Sequence, residues 1–195
     1  LTIPQFNFRV GYYLNDFWSL SLGWDHMKYR INEFQRVRMS GTIDASRSEE
    51  YAGTYNDAYI SLDPKNFLTM EHSDGFNYLR LGLDRRTEIY RTTNEKHSLS
   101  LMTGVSAGAM LPWTDFTLFG ERNRNFVHCA GYGVSVNLGM RFEFFRYGFL
   151  QYQNQLGFAH MPGIILEGRS SARGEQKVTF IERSLALGAY IPIGK

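Results

Sequence analysis

The segment Phe126-Val127-His128-Cys129-Ala130-Gly131-Tyr132-Gly133-Val134-Ser135-Val136-Asn137-Leu138-Gly139-Met140-Arg141-Phe142-Glu143-Phe144 decides the fold. Its even positions, from Phe126 to Phe144, are almost all large and apolar. Its odd positions include Gly131, Gly133, Ser135, Asn137, Gly139, Arg141 and Glu143. A period of two is the signature of a β-strand with two chemically opposite faces. This run is far longer than the ~5–6 residues of an ordinary strand.

Working outward, six more stretches repeat the pattern. From Gln5 to Leu14, Phe6, Phe8, Val10 and Tyr12 oppose Asn7, Arg9 and Gly11. From Phe17 to Ile31, Trp18, Leu20, Leu22 and Trp24 oppose Ser19, Ser21, Gly23 and Asp25. From Phe76 to Tyr90, Leu79, Leu81, Leu83 and Ile89 oppose Tyr78, Arg80, Gly82, Asp84, Arg86 and Glu88. His97 to Leu111 sets Leu99, Leu101 and Val105 against Ser98, Ser100 and Gly104. Gly148 to Met161 sets Leu150, Tyr152, Leu156 and Phe158 against Gln151, Gln153, Gln155 and Gly157. The last strand, Lys177 to Ile193, sets Leu185, Leu187 and Ile191 against Ser184, Ala186 and Gly188.

The connections alternate short and long. Asn15-Asp16, 91–96 and Arg146-Tyr147 are tight turns, whereas 32–75, 112–125 and 162–176 are long loops. This asymmetry is that of an up-and-down antiparallel transmembrane β-barrel with short periplasmic turns and long outside loops. Such single-chain barrels have an even strand number, so the expectation is eight strands, the first missing or short in this chain. Tyr55 to Leu62 is the alternative source of the eighth. Residues 1–195 form a single domain on this reading.

Composition agrees. The net charge is +2, from 21 Lys+Arg and 19 Asp+Glu, too balanced for a nucleic-acid partner. Aromatics are 15% of the chain, yet mean hydropathy is only −0.33 and no run reads as a transmembrane helix. A strand that shows lipid only every second residue has this composition. Cys129 is the sole cysteine, so no internal disulfide forms; it reads as a small packed residue. Leu1-Thr2-Ile3-Pro4 reads as an internal point of a longer chain or a start after processing.

Two arguments send the apolar row outward to lipid. The polar row carries Gly, Ser and charges of both signs that can cross-pair inside a narrow barrel. The expected interior charge network is Arg9, Asp25, Arg80, Asp84, Arg86, Glu88, Arg141, Glu143 and Glu182, plugging the lumen. The apolar row also ends in aromatics at both rims. The expected girdles are Trp24, Phe126 and Phe158 on the long-loop side, and Tyr12, Trp18, Phe142 and Phe144 on the short-turn side. The rival arrangement is a soluble lipocalin-like cup with the apolar row inside.

Within 32–75, Asp63-Pro64 reads as a helix start and Gly75 as its stop, with Phe67, Leu68 and Met70 on an apolar face. His26, His128 and His160 fall on the outward row near the outer rim, where contact with headgroups is the functional alternative to an interfacial ring. No histidine pair has metal-ligand spacing, and no metal or cofactor is expected. Ser and His are close in His72-Ser73-Asp74 and His97-Ser98. Arg122-Asn123-Arg124 and Arg169 to Arg173 put cations on the outer loops, in reach of lipopolysaccharide.

The whole pattern resembles small bacterial outer-membrane barrels of the OmpA and OmpX kind and the outer membrane beta-barrel proteins of Bacteroidota. It departs from them in ending on Tyr190-Ile191-Pro192-Ile193-Gly194-Lys195 rather than on an aromatic residue. The resemblance implies a bacterial outer-membrane location, with membrane lipid, lipopolysaccharide and other envelope proteins as partners. It implies a non-enzymatic structural or interaction subunit working through extracellular loops. The alternative is an outer-membrane lipid-modifying enzyme of the lipid A deacylase or acyltransferase type, with Ser, His and an acid near the outer rim.

Overall fold

In the computed structural model, residues 5–124, 126–165 and 173–192 are described. Every regular element among them is a strand. The order is β1 (Phe6–Tyr13), β2 (Trp18–Arg30), β3 (Arg36–Ile43), β4 (Gly53–Ser61), β5 (Leu68–Arg91), β6 (His97–Pro112), β7 (Asp115–Leu118), β8 (Glu121–Arg124), β9 (Gly131–Phe144), β10 (Gly148–Ile165) and β11 (Arg173–Ala189).

One large antiparallel sheet runs β1-β2-β5-β6-β9-β10-β11, with β7 and β8 attached to the loop end of β5. These seven long strands are the seven alternating stretches. Side chains explain the tight turns. Asn15 Oδ1 accepts from the amides of Phe17 and Trp18, each at 2.9 Å, so one amide side chain closes the β1–β2 turn. At the β9–β10 turn, Phe145 and Arg146 take φ of 53° and 68°. Consecutive left-handed residues give a turn whose twist matches that of the strands it joins.

Every step along the seven-strand path is antiparallel, so β1 and β11 run in the same direction. No backbone ladder joins them among the described residues. The sheet is nevertheless curved enough for side chains to meet across it. Arg9 on β1 donates to Gln153 on β10 at 2.6 Å, and Gln155 on β10 donates to Asp25 on β2 at 3.0 Å. The row carrying Asp25, Arg80 and Gln155 is therefore on the concave face.

The long connections differ from the expectation in three ways. Residues 32–75 are not one loop: β3 and β4 pair as a separate two-stranded sheet. Residues 55–62, the alternative eighth strand, lie mostly in β4 and add nothing to the main sheet. The helix expected after Asp63 is absent. Asp63 does nucleate a turn, its Oδ1 accepting from the Lys65 amide at 2.9 Å and its carbonyl from Phe67 at 2.9 Å. From Leu68 the chain pairs with β7, because a strand partner satisfies every second backbone group that a lone short helix would have to satisfy alone. Similarly, 112–125 contains the β7–β8 hairpin, β9 starts at Gly131 rather than Phe126, β10 runs on to Ile165, and β11 starts at Arg173. The Arg169-to-Arg173 cluster lies mostly outside the described residues.

The loop-side segments pack on one another. Tyr51, in the β3–β4 connection, contacts Phe67 at 4.9 Å and Phe119, in the β7–β8 turn, at 6.1 Å between ring centroids. Arg47 reaches Glu121 at 3.7 Å. The concave face under them holds an apolar core of Met27, Phe76, Tyr78, Met110, Met161 and Ile164, with Phe180 against it. Burying this cluster from water is the main hydrophobic contribution on that face.

Candidate functional site

The two faces of the sheet separate sharply. On the convex face Val134, Val136 and Leu138 of β9 are 45, 52 and 54% exposed, while Ser135 and Asn137 between them are 6 and 7% exposed. The same alternation holds for Phe8 and Val10, Leu20 and Leu22, Leu81, Val105, Leu156, and Leu185 and Leu187, all exposed. A shallow apolar groove of about 760 Å³ lies among Leu20, Leu81, Val105, Val134 and Leu156 on this face. Arg183 interrupts the convex row on β11, in register with Asn154.

The concave face carries three polar groups of residues. Asp25, fully buried, accepts from Arg80 Nε at 3.0 Å, from Arg9 Nη2 at 3.3 Å and from Gln155 Nε2 at 3.0 Å. Gln155 also donates to Glu182 at 3.4 Å. Next, Asp84 accepts from Ser21 at 2.8 Å and from Asn137 at 3.1 Å, and Ser106 meets Ser135 at 2.6 Å. Toward the short turns, Glu143 is held by Arg86 at 2.9 Å and by the hydroxyls of Ser98 and Tyr190. Arg141 donates to Gln151 at 2.8 Å and to the Tyr13 and Tyr190 hydroxyls. This third group borders a cleft of about 620 Å³ at the short-turn mouth.

The nine expected network residues are therefore divided. Arg9, Asp25, Arg80 and Glu182 come together, as do Arg86 and Glu143 with Arg141 beside them. Asp84 is satisfied by neutral partners. Glu88 turns away to Arg91, three residues on, at the exposed rim. Among the expected aromatics, Tyr12, Trp18 and Phe142 lie exposed near the short-turn ends of their strands. Trp24 donates its indole N–H to Asn77 at 3.2 Å near the long-loop end, and Phe158 is exposed there on β10. Phe126 is exposed but outside the strand, and Phe144 is half-buried against Phe145.

The histidines are more tightly held than the sequence suggests. His26 is 4% exposed, stacked on Phe6 and bonded to Asn77 Oδ1 at 2.7 Å. His160 pairs with Glu175 at 2.9 Å, and His128 reaches the Gly163 carbonyl at 3.1 Å. His72 is fully buried at the loop end of β5. Its Nδ1 contacts Thr114 Oγ1 at 3.1 Å and its Nε2 contacts Gln176 at 3.0 Å. Burial lowers its pKa to about 4, so the ring is neutral at pH 7. The Ser73 and Asp74 side chains lie outside the described ones.

Thr114 and His72 have the pairing of a hydroxyl nucleophile and base. Both are fully buried, so no substrate reaches them, and the trio locks β5 to β11 and to the β6–β7 connection. His97 stacks on Phe142 at 5.8 Å at the short-turn end. Among the described residues no group of three or more His, Cys, Asp or Glu is placed to hold a metal ion. Cys129 is exposed rather than packed.

Sequence reasoning missed Tyr13, Tyr190, Ser98, Thr114 and Gln176 as partners. The glutamines at 151, 153 and 155 did carry a signal: three long amides on one strand face require a polar surface opposite them. No protein-family model, no curated protein and no solved structure matches this chain.

Proposed function

We propose that this chain is a closed, eight-stranded transmembrane β-barrel of a bacterial outer membrane, acting without catalysis as a structural or interaction subunit through its extracellular loops. The observation that carries the reading is the exposure of the aliphatic row on every long strand, opposite a buried face of paired charges. In water that row is a large unsatisfied apolar surface. In a bilayer it is solvated by acyl chains, and the shallow groove on it accepts them. The soluble-cup alternative places the apolar row inside, where the contacts between Arg9 and Gln153 and between Asp25 and Gln155 already lie.

Closure follows from backbone chemistry. An unpaired N–H or C=O in hydrocarbon costs several kcal/mol, so the free edges of β1 and β11 are untenable there. Both edges run the same way, so one added strand can run antiparallel to both, which makes eight. The concave face is filled by the apolar core on the loop side and by the charge clusters below it, so the barrel is plugged.

The loop side carries the interaction role. The β3–β4 hairpin presents Arg36 and Arg38 around Tyr59, at 5.1 and 5.3 Å from the ring centroid, on an exposed face. Lipopolysaccharide or another envelope protein is the partner class. Heat-modifiable mobility on gels and a detergent requirement test the barrel; full solubility without detergent overturns it. Unchanged lipid A by mass spectrometry, with and without the protein, is expected; altered acylation favours the lipid-modifying alternative. Planar-bilayer recordings should show only low conductance.

A further inference from the structure

The β3–β4 hairpin has two unlike faces. Val37, Met39, Ala58 and Ile60 are half-buried. Arg36, Arg38, Ser40, Asp57, Tyr59 and Ser61 alternate with them and are exposed. In the ladder Arg38 stands opposite Tyr59, and Arg36 opposite Ser61. Both guanidinium groups lie against the Tyr59 ring, and Arg38 Nε also donates to its hydroxyl at 3.2 Å.

The two arginines differ in what balances their charge. Arg38 pairs with Asp57 at 3.0 Å. The register shifts between Met39 and Gly41, Asp57 takes φ of 52°, and its amide donates to Ser40 Oγ at 2.9 Å. Such a bulge re-aims a side chain, and here it brings the carboxylate to Arg38. Arg36 has no acid of its own among the described residues. Glu33 pairs with Arg30, and Asp63 accepts from the Lys65 amide. The ring contact orients the Arg36 guanidinium and leaves its N–H edge free to donate.

The rest of the exposed face is hydroxyl-rich. Ser40, Thr42, Thr54 and Ser61 are exposed, and no aliphatic residue of β3 or β4 is. A guanidinium edge matches a phosphate, which accepts two parallel N–H bonds from it. Serine and threonine hydroxyls exchange hydrogen bonds with the hydroxyls of a sugar. A protein partner favours apolar and aromatic anchors at the centre of its contact. Here the sole aromatic, Tyr59, is already engaged by two arginines.

We propose that this face binds a phosphate carried on a saccharide, with Arg36 as the group that holds the phosphate and Tyr59 as a positioning residue. The inference rests on the outer-membrane reading and narrows its partner class to phosphorylated glycolipid.

The test is calorimetric titration of the chain in uncharged detergent micelles with phosphorylated core oligosaccharide, prepared by deacylating lipopolysaccharide. The expected result is binding that weakens with added salt and disappears when the phosphates are removed from the oligosaccharide. Arg36→Gln should weaken it about tenfold, the loss of one charge-assisted hydrogen bond. Tyr59→Phe keeps the ring and should bind like wild type, whereas Tyr59→Leu should weaken binding several-fold with Arg36 intact. Asp57→Asn, which suits the left-handed backbone and releases Arg38, should tighten it. All these positions are exposed, and a retained fast-migrating band on unheated gels shows that each variant folds. Equal binding by wild type and Arg36→Gln, or of the oligosaccharide with and without its phosphates, overturns the inference. Inorganic phosphate that competes at the same concentration as the oligosaccharide overturns the saccharide assignment. A glutamate-rich peptide that binds in its place, dependent on Arg36, overturns it in favour of a protein partner. A chain that stays in solution without detergent overturns the outer-membrane reading instead, whatever Arg36 binds.

Discussion

Asp25→Ala is the perturbation with the largest cost worked from the structure. Asp25 is 0% exposed and is the acceptor for two guanidinium groups and one amide, at 3.3, 3.0 and 3.0 Å. Removing it leaves Arg80, 1% exposed, without its carboxylate, and Arg9 with Gln153 and, at longer range, Glu182 as its remaining partners. Breaking a buried ion pair from one side costs about 3–5 kcal/mol. The orphaned Gln155 donor belongs to the same network, so its cost does not simply add. Removing both charges, as in Asp25→Leu with Arg80→Leu, should recover most of the loss, since an apolar pair of similar volume is often neutral. The assay is urea unfolding in detergent micelles, followed by tryptophan fluorescence and by loss of the fast-migrating band on unheated gels. An Asp25→Ala midpoint within about 1 kcal/mol of wild type, or a double variant worse than the single one, refutes the reasoning.

Four further outcomes are expected. Val136→Arg should destabilise the protein in vesicles by about 2–4 kcal/mol if it sits near the bilayer midplane. Ser135→Ala, which removes only the bond to Ser106, should cost about 1 kcal/mol by the same vesicle titration. Arg183→Leu should leave stability unchanged or raise it in the same assay, because a guanidinium on a lipid-facing row is unfavourable. For His72 the folded pKa of about 4 lies below the unfolded 6.5, so folding favours the neutral ring. Its stabilising effect is complete above about pH 6.5 and is lost as pH falls toward 4, by up to roughly 3 kcal/mol. Unfolding free energy measured from pH 7 to pH 4 should show that slope, and His72→Gln should flatten it.

The seven strands of the main path were legible because a period of two over eight or more residues has no helical counterpart. The division of faces was legible for the same reason. Which polar residues meet was not. Asp25 and Gln155 are 130 positions apart and touch only because the sheet curves, a quantity no local pattern contains. Glu88 shows the limit from the other side. Its alternation put it in the network, but Arg91 three residues away offers a nearer partner at the rim. The loop segments misled through a real signal. Asp63 does cap a turn, yet pairing of β5 with β7 from Leu68 prevails over propagation into a helix. In β3, Arg36–Ile43, only Arg36-Val37-Arg38-Met39 alternates before Ser40-Gly41-Thr42 breaks the pattern, and so brief an alternation is hard to distinguish from an extended loop.

The most direct test of the central claim is where the aliphatic row points. Nitroxide labels placed one at a time at Val134, Val136 and Leu138 in vesicles report collisions with bilayer-dissolved oxygen and with a water-soluble nickel chelate. Strong oxygen collisions and little nickel access are expected at all three, deepest at the middle of the row. Labels there that the nickel chelate reaches freely, or that are shielded from both reagents, would contradict it.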